Sequence, residues 1–226
     1  MSLILCLETT STNCSVALAR ENSGFANLYG IINCLDLIED QSDHHSHGER
    51  LHIFIKELLD RNKVTVKDLD AVAISEGPGS YTGLRIGVAS AKGLCYALDI
   101  PLIAVSTLKS LSLQNRQPGI TIPMVDARRM EVYTAVFKDQ QLEEDVAATV
   151  LDDGSFSRFR KSGIVTFIGT GTEKFKNLIN EPQHHYINTP PTALTMCDLA
   201  IDKYKKSDTV SVAYFEPFYL KEFKAG

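Results

Sequence analysis

The sequence predicts an α/β fold, and two observations predict it. Short apolar runs bounded by turn residues, the length of buried strands, alternate along the chain with longer stretches of helical pattern. The clearest case is the stretch Asp70–Leu98: the apolar run Ala71–Ile74 leads to Gly77-Pro78-Gly79, and Leu84–Leu98 then continues without proline. That reads as a buried strand, a glycine-rich turn and a long helix whose first turn Ser80 or Thr82 can cap. At 226 residues the chain has room for one large domain or two small lobes.

Composition narrows the class. Hydrophobic residues at 44% and charged residues at 23% describe an ordinary soluble globular protein. A net charge of −5 argues against a dedicated nucleic-acid grip, which needs a basic face. No run is long enough to span a bilayer, and the N-terminus enters a strand pattern without a basic leader, so the expected compartment is the cytoplasm. Five cysteines, an odd number without C-x-x-C spacing, make neither a disulfide framework nor a zinc site, and Cys6, Cys14 and Cys95 read as small core residues.

In chain order, Ser2–Glu8 is a buried strand, Thr9–Asn13 a hydroxyl-rich turn and Cys14–Ala19 the partner strand of a hairpin. Glu21–Gly24 is a turn, followed by extended segments to Glu39. The polar loop Asp40–Gly48 leads into a helix from about Gly48 to Arg61, with Leu51, Phe54, Ile55 and Leu58 on one stripe and Ile53 and Leu59 broadening it. After the central helix, Leu102–Val105 is a strand and Ser106 caps the helix Thr107–Leu113. The polar stretch Gln114–Gly119 places a lobe boundary near 106–118, dividing the chain into 1–106 and 107–226. Ile120–Val125 and Val132–Phe137 form a second hairpin, Ile164–Ile168 a further strand, Thr172 begins a helix, and Leu194–Tyr204 is amphipathic with Leu194, Cys197, Leu199 and Ile201 mostly inward. His184 and His185 read as isolated and exposed, and the aromatic segment Phe215–Lys221 as docking back onto the body. No internal repeat is visible.

The sites of chemistry are sparse. Gly77, Gly79 and Gly83 invite a phosphate reading, since bare backbone amides at a helix N-terminus bind anions. Their spacing, G-x-G-x-x-x-G with Thr82 where a dinucleotide motif needs glycine, fits no phosphate fingerprint and favours a tight turn needing positive φ over direct phosphate contact. In actin-like and sugar-kinase ATPases the first phosphate loop falls at Glu8-Thr9-Thr10 and the second at Asp126, but glycines are missing from both, and Arg128, Arg129 and Met130 stand at the second. Asp126 reads as a structural cap or ion-pair partner rather than a metal ligand. His44, His45, His47 and His52 lack the i, i+4 spacing of a helical zinc site, so no metal is expected. No cysteine or histidine has a visible nucleophile–base partner, which argues against a peptidase. The central helix is apolar nearly all round and carries Gly83, Gly87 and Ala91 at four-residue spacing, so it asks for cover on more than one face.

These blocks together carry a resemblance. Ile4–Thr10 with Cys14–Leu18, Gly77-Pro78-Gly79-Ser80-Tyr81-Thr82-Gly83-Leu84-Arg85-Ile86-Gly87, Val125–Arg128 with Glu131–Tyr133, and Pro217–Lys221 resemble the TsaB (YeaZ) family, in order and over nearly the whole chain. Glu8 departs from the family's usual Asp, and the segment before the first helix is longer. The resemblance implies the two-lobed actin/sugar-kinase/Hsp70-like (ASKHA) fold with a reduced second lobe. It also implies a non-catalytic subunit of the machinery that makes N6-threonylcarbamoyladenosine at position 37 of tRNA. Its implied partners are a catalytic TsaD-type paralogue, a TsaE-type ATPase, a second copy of itself when alone, and tRNA through the complex. No cofactor is expected to bind this chain tightly, ATP or ADP entering only in the assembled complex. The two N-lobe helices would then form the interface, with Leu51, Phe54, Leu58, Gly83, Leu84, Gly87, Val88 and Ala91 as candidate contacts. The candidate nucleotide-proximal loops are Glu8, Thr9, Thr10, Gly77, Gly79, Ser80 and Asp126. The rival reading is an independent kinase or ATPase of the same fold.

Overall fold

The computed structural model describes residues 1–21, 25–27, 30–40 and 47–221. The first lobe contains β1 (Leu3–Glu8), β2 (Cys14–Arg20), the small hairpin β3 (Phe25–Asn27) and β4 (Gly30–Ile32), and β5 (Cys34–Asp40). It continues with α1 (His47–Arg61), β6 (Ala71–Gly77), α2 (Tyr81–Leu98) and β7 (Leu102–Ser106), and α3 (Thr107–Ser112) comes next. The second lobe holds β8 (Ile120–Asp126), β9 (Glu131–Lys138), β10 (Gln141–Val150), α4 (Ser157–Arg160), β11 (Val165–Ile168), α5 (Thr172–Leu178) and β12 (His185–Ile187), and α6 (Met196–Lys205) comes after it.

Each lobe is built on a five-stranded sheet, ordered β5-β2-β1-β6-β7 in the first and β10-β9-β8-β11-β12 in the second. In both, the first three strands are antiparallel neighbours and the last two run parallel to the central one. The lobes therefore repeat one topology, although no repeat shows in the sequence. The β1–β2 register, Leu3 opposite Arg20 through Glu8 opposite Ser15, is the hairpin the sequence predicts.

The continuous apolar run of β1 has a simple cause. Leu3, Leu5 and Leu7 point into the core under α1 and α2, while Ile4 and Cys6 point into the core under α6, so both faces of the sheet are covered. In β6, Val72 and Ile74 face the first core and Ala71 and Ala73 the second. Small residues dominate the second face, which lets α6 approach closely through Met196, Cys197, Ala200 and Ile201. The segment 193–215, given by the sequence to the second lobe, thus lies against the first lobe, and the second sheet ends at Ile187. All five cysteines are buried thiols, and burial pushes Cys14 and Cys95 up to about 11, as inert core residues require.

Where sequence and structure differ, burial explains it. β10 is missing from the expected elements because it is an exposed edge strand rich in acids, with no apolar alternation to read. His184 is not exposed: its Nδ1 accepts from the Val165 amide (3.2 Å) and its Nε2 meets Glu181 (2.9 Å). The turn at 22–24 and the loop with His44 and His45 lie outside the described residues. Among those described, no helix is long and apolar enough to cross a membrane.

Candidate functional site

Between the lobes lies a cleft of about 1250 Å³, walled by the β1–β2 turn, the start of α2, the β8–β9 turn and the C-terminal residues 218–221. Thr10, Gly79, Ser80 and Asp126 line it; Glu8, Thr9 and Gly77 do not.

The glycine-rich turn is engaged with protein. Ser80 donates its amide to the Thr10 carbonyl (2.7 Å), Thr9 Oγ1 donates to the Gly83 carbonyl (2.8 Å), and His47 Nε2 bonds the Ser11 carbonyl (2.7 Å). A Cβ at Gly79 would stand 2.4 Å from the Thr10 carbonyl oxygen, and one at Gly83 only 2.0 Å from that of Thr9. These glycines exist so that the start of α2 can press on the β1–β2 turn. Positive φ, the expected reason, applies only to Gly77 (+112°), where a Cβ would also meet the Phe218 carbonyl oxygen at 2.8 Å. Ser80 is the cap, its hydroxyl accepting from the Gly83 amide (3.3 Å).

Glu8 turns away from the cleft. It is fully buried and accepts the Thr10 amide (2.6 Å). Burial pushes its carboxyl above the usual range, the dominant effect, while the Thr10 amide bond pulls it down. Asp126 caps the β8–β9 turn by accepting the Arg128 amide (2.6 Å) and pairs with Lys174 (2.8 Å). Lys174 Nζ also donates to the carbonyls of Arg129 (2.8 Å) and Glu131 (3.0 Å), so it anchors the whole turn.

The C-terminal segment docks across both lobes. The Phe218 amide donates to the Glu76 carbonyl (2.8 Å), and the Tyr219 ring lies 5.2 Å from that of Tyr81 with its hydroxyl on Arg85 Nε (3.3 Å). Lys221 pairs with Glu131 of the second lobe.

The helix pair α1–α2 requires a correction. Leu51, Leu58, Gly83, Leu84, Gly87, Val88 and Ala91 are all buried within the chain, and Phe54 is half-buried. The smooth line Gly83–Gly87–Ala91 does serve close approach, but to the chain's own Thr9 and Ile74: a Cβ at Gly87 would stand 2.2 Å from Thr9 Oγ1 and 2.9 Å from Ile74 Cδ1. The outward face of the pair carries Ile53 (60% exposed), Ala89, Gly93, Tyr96 (86% exposed) and Ala97, with Ile86 half-buried beside them. A Cβ at Gly93 would meet nothing within 4 Å. The signal for this face was present in the sequence as apolar residues lying off the main stripe. Among the described residues no three His, Cys, Asp or Glu side chains come together as metal ligands.

Comparison with known proteins agrees with this architecture. A family model described as "TsaD: tRNA N6-adenosine threonylcarbamoyltransferase" matches residues 39–212. The tRNA threonylcarbamoyladenosine biosynthesis protein TsaB of Bacillus subtilis is 33% identical over 183 residues, covering 79% of this chain and 75% of that protein. TsaB of Escherichia coli is 29% identical over 229 residues, covering 96% and 94%. The solved structure of YeaZ from Pseudomonas aeruginosa superimposes with a TM-score of 0.79 at 25% identity, over 97% of this chain and 100% of that one.

Proposed function

The chain belongs to the TsaB family of tRNA threonylcarbamoyladenosine biosynthesis proteins, and from that premise we propose that it is a non-catalytic subunit that pairs with a TsaD-type paralogue. The observation that carries the non-catalytic reading is the contact between Gly79 and Gly83 and the turn Thr9–Thr10. The backbone that would cradle a nucleotide's phosphates in this fold is spent on holding α2 to β1. Glu8 is buried away from the cleft, and Asp126, which lines it, is paired with Lys174.

In this reading the paralogue transfers the threonylcarbamoyl group to adenosine 37 of tRNA, and this chain supports it by contact. The contact surface is the outward face of α1 and α2, not the buried stripe: Ile53, Ala89, Gly93 and Tyr96 supply apolar area, and Gly93 admits a close neighbour. The same face joins two copies when the paralogue is absent. A TsaE-type ATPase joins the assembled pair, ATP or ADP enters there and not in this chain alone, and the setting is the cytoplasm.

The test is light scattering after size exclusion, on this chain alone and mixed with the paralogue from the same source. A dimer that converts to a mixed complex is expected, with both associations lost in Ala89→Arg while the circular dichroism spectrum is unchanged. Wild-type association by Ala89→Arg, or ATP turnover by the isolated chain, would overturn the proposal.

A further inference from the structure

The β8–β9 turn carries two arginines that the fold does not use. Of the nine arginines in the chain, Arg20, Arg50, Arg61, Arg85, Arg116, Arg158 and Arg160 are each held by another group. Arg128 and Arg129 alone, among the described residues, have no side-chain partner. Both are exposed and both line the inter-lobe cleft. Both also hold left-handed backbone, φ +67° and +51°, a conformation that a non-glycine side chain resists and that tends to mark function. The turn is rigid nonetheless, since the largely buried Lys174 ties Asp126 and the carbonyls of Arg129 and Glu131 together.

The neighbouring charges cancel: Asp126 pairs with Lys174 and Glu131 with Lys221, so this lip presents the two arginines' charge uncompensated. Guanidinium groups held on a fixed backbone and left unpaired suit phosphate oxygens, which they meet in bidentate fashion. A small polyphosphate would be gripped from one side only, because the opposite wall offers hydroxyls and tyrosine rings and its glycine-rich backbone is already engaged. A phosphodiester strand crossing the lip needs nothing from that wall. We propose that Arg128 and Arg129 contact the phosphate backbone of RNA, which makes this chain a positioning contributor to tRNA binding. The proposal rests on the tRNA-modification reading above.

The experiment is a titration of unmodified tRNA with the chain paired to its paralogue, over a series of salt concentrations. Each phosphate contact contributes about 0.9 to the slope of log affinity against log salt on a duplex and about 0.7 on a single strand. Arg128→Gln with Arg129→Gln should therefore flatten the slope by about 1.4 to 1.8. The Lys/Lys variant should keep most of the slope, and light scattering should show intact pairing in both. An unchanged slope in the Gln/Gln variant overturns the proposal, as does equal loss in Lys/Lys. Displacement of tRNA by ADP from the wild type but not from Gln/Gln would assign the lip to a small phosphate and overturn it likewise. If the chain does not pair with the paralogue at all, the functional reading fails separately. The same titration on the chain alone at low salt then decides the lip: a difference between wild type and Gln/Gln supports it, and equal binding or none overturns it.

Discussion

Gly83 and Gly93 lie on the same helix, and the same substitution should have opposite signs at the two. Glycine to alanine inside a helix ordinarily gains about 0.8–1.0 kcal/mol, because alanine loses less backbone entropy. At Gly93 nothing opposes the new methyl group, so Gly93→Ala should be more stable by about 1 kcal/mol. At Gly83 the methyl would sit 2.0 Å from the Thr9 carbonyl oxygen, where ordinary contact begins at 3.4 Å. The β1–β2 turn and α2 must therefore separate by more than an ångström. That breaks the bonds from Thr9 Oγ1 to Gly83 and from the Ser80 amide to Thr10, each about 1 kcal/mol net. Overpacking adds about 1–3 kcal/mol, so Gly83→Ala should lose about 3 kcal/mol after the helical gain is deducted. For a chain of this size each kcal/mol moves Tm by about 2–4 °C, which predicts a fall of about 6–12 °C against a rise of about 2–4 °C. Thermal unfolding by circular dichroism measures both, at two protein concentrations so that self-association through the Gly93 face is separated from fold stability. A Gly83→Ala protein as stable as wild type would refute the turn-to-helix contact, and with it the reason given for the closed phosphate loop.

Buried Glu8 and the C-terminal segment each give a further prediction. The carboxyl of Glu8 sits above the usual range in the folded chain because of burial, so the folded state keeps its proton after the unfolded chain has released it. Stability should therefore fall as pH rises from about 4.5 towards the folded value, and Glu8→Gln, which can still accept the Thr10 amide, should flatten that stretch in urea unfolding measured across pH. An unaltered pH profile would show that Glu8 does not titrate as described. Tyr219→Ala removes the ring contact with Tyr81 and the bond to Arg85, a loss of about 1 kcal/mol. Hydrogen exchange should then speed up at the Phe218 amide, which bonds Glu76, while the amides of β1 keep their protection; equal protection at Phe218 would mean that the segment is held by something else.

The elements that obey local pattern were legible in the sequence. β1, β2, β6, β7 and the central helix appear within a few residues of where apolar periodicity and turn residues put them, and Ser80 and Ser106 cap the helices expected. The family was legible too, since the block Gly77–Gly87 depends on contacts that forbid substitution: Gly79, Gly83 and Gly87 each have a neighbour within 2.4 Å of the missing Cβ. β10 was not legible because an exposed edge strand carries no burial pattern, and His184 was not because its partners, Val165 and Glu181, are supplied by the fold around it.

The sequence by itself determined the strands β1, β2, β6 and β7 and the central helix, and that α2 must be approached closely along Gly83, Gly87 and Ala91. Those properties belong to neighbours a few residues apart and survive in any fold. The identity of the approaching backbone, and the helix face that stays open, only the tertiary structure decided: Thr9 fills the small-residue groove, while Ile53, Gly93 and Tyr96 face outward. The reason is physical. A groove of glycines records that a backbone comes near without recording whose, and an apolar residue off the main stripe is buried or bare according to partners distant in the chain.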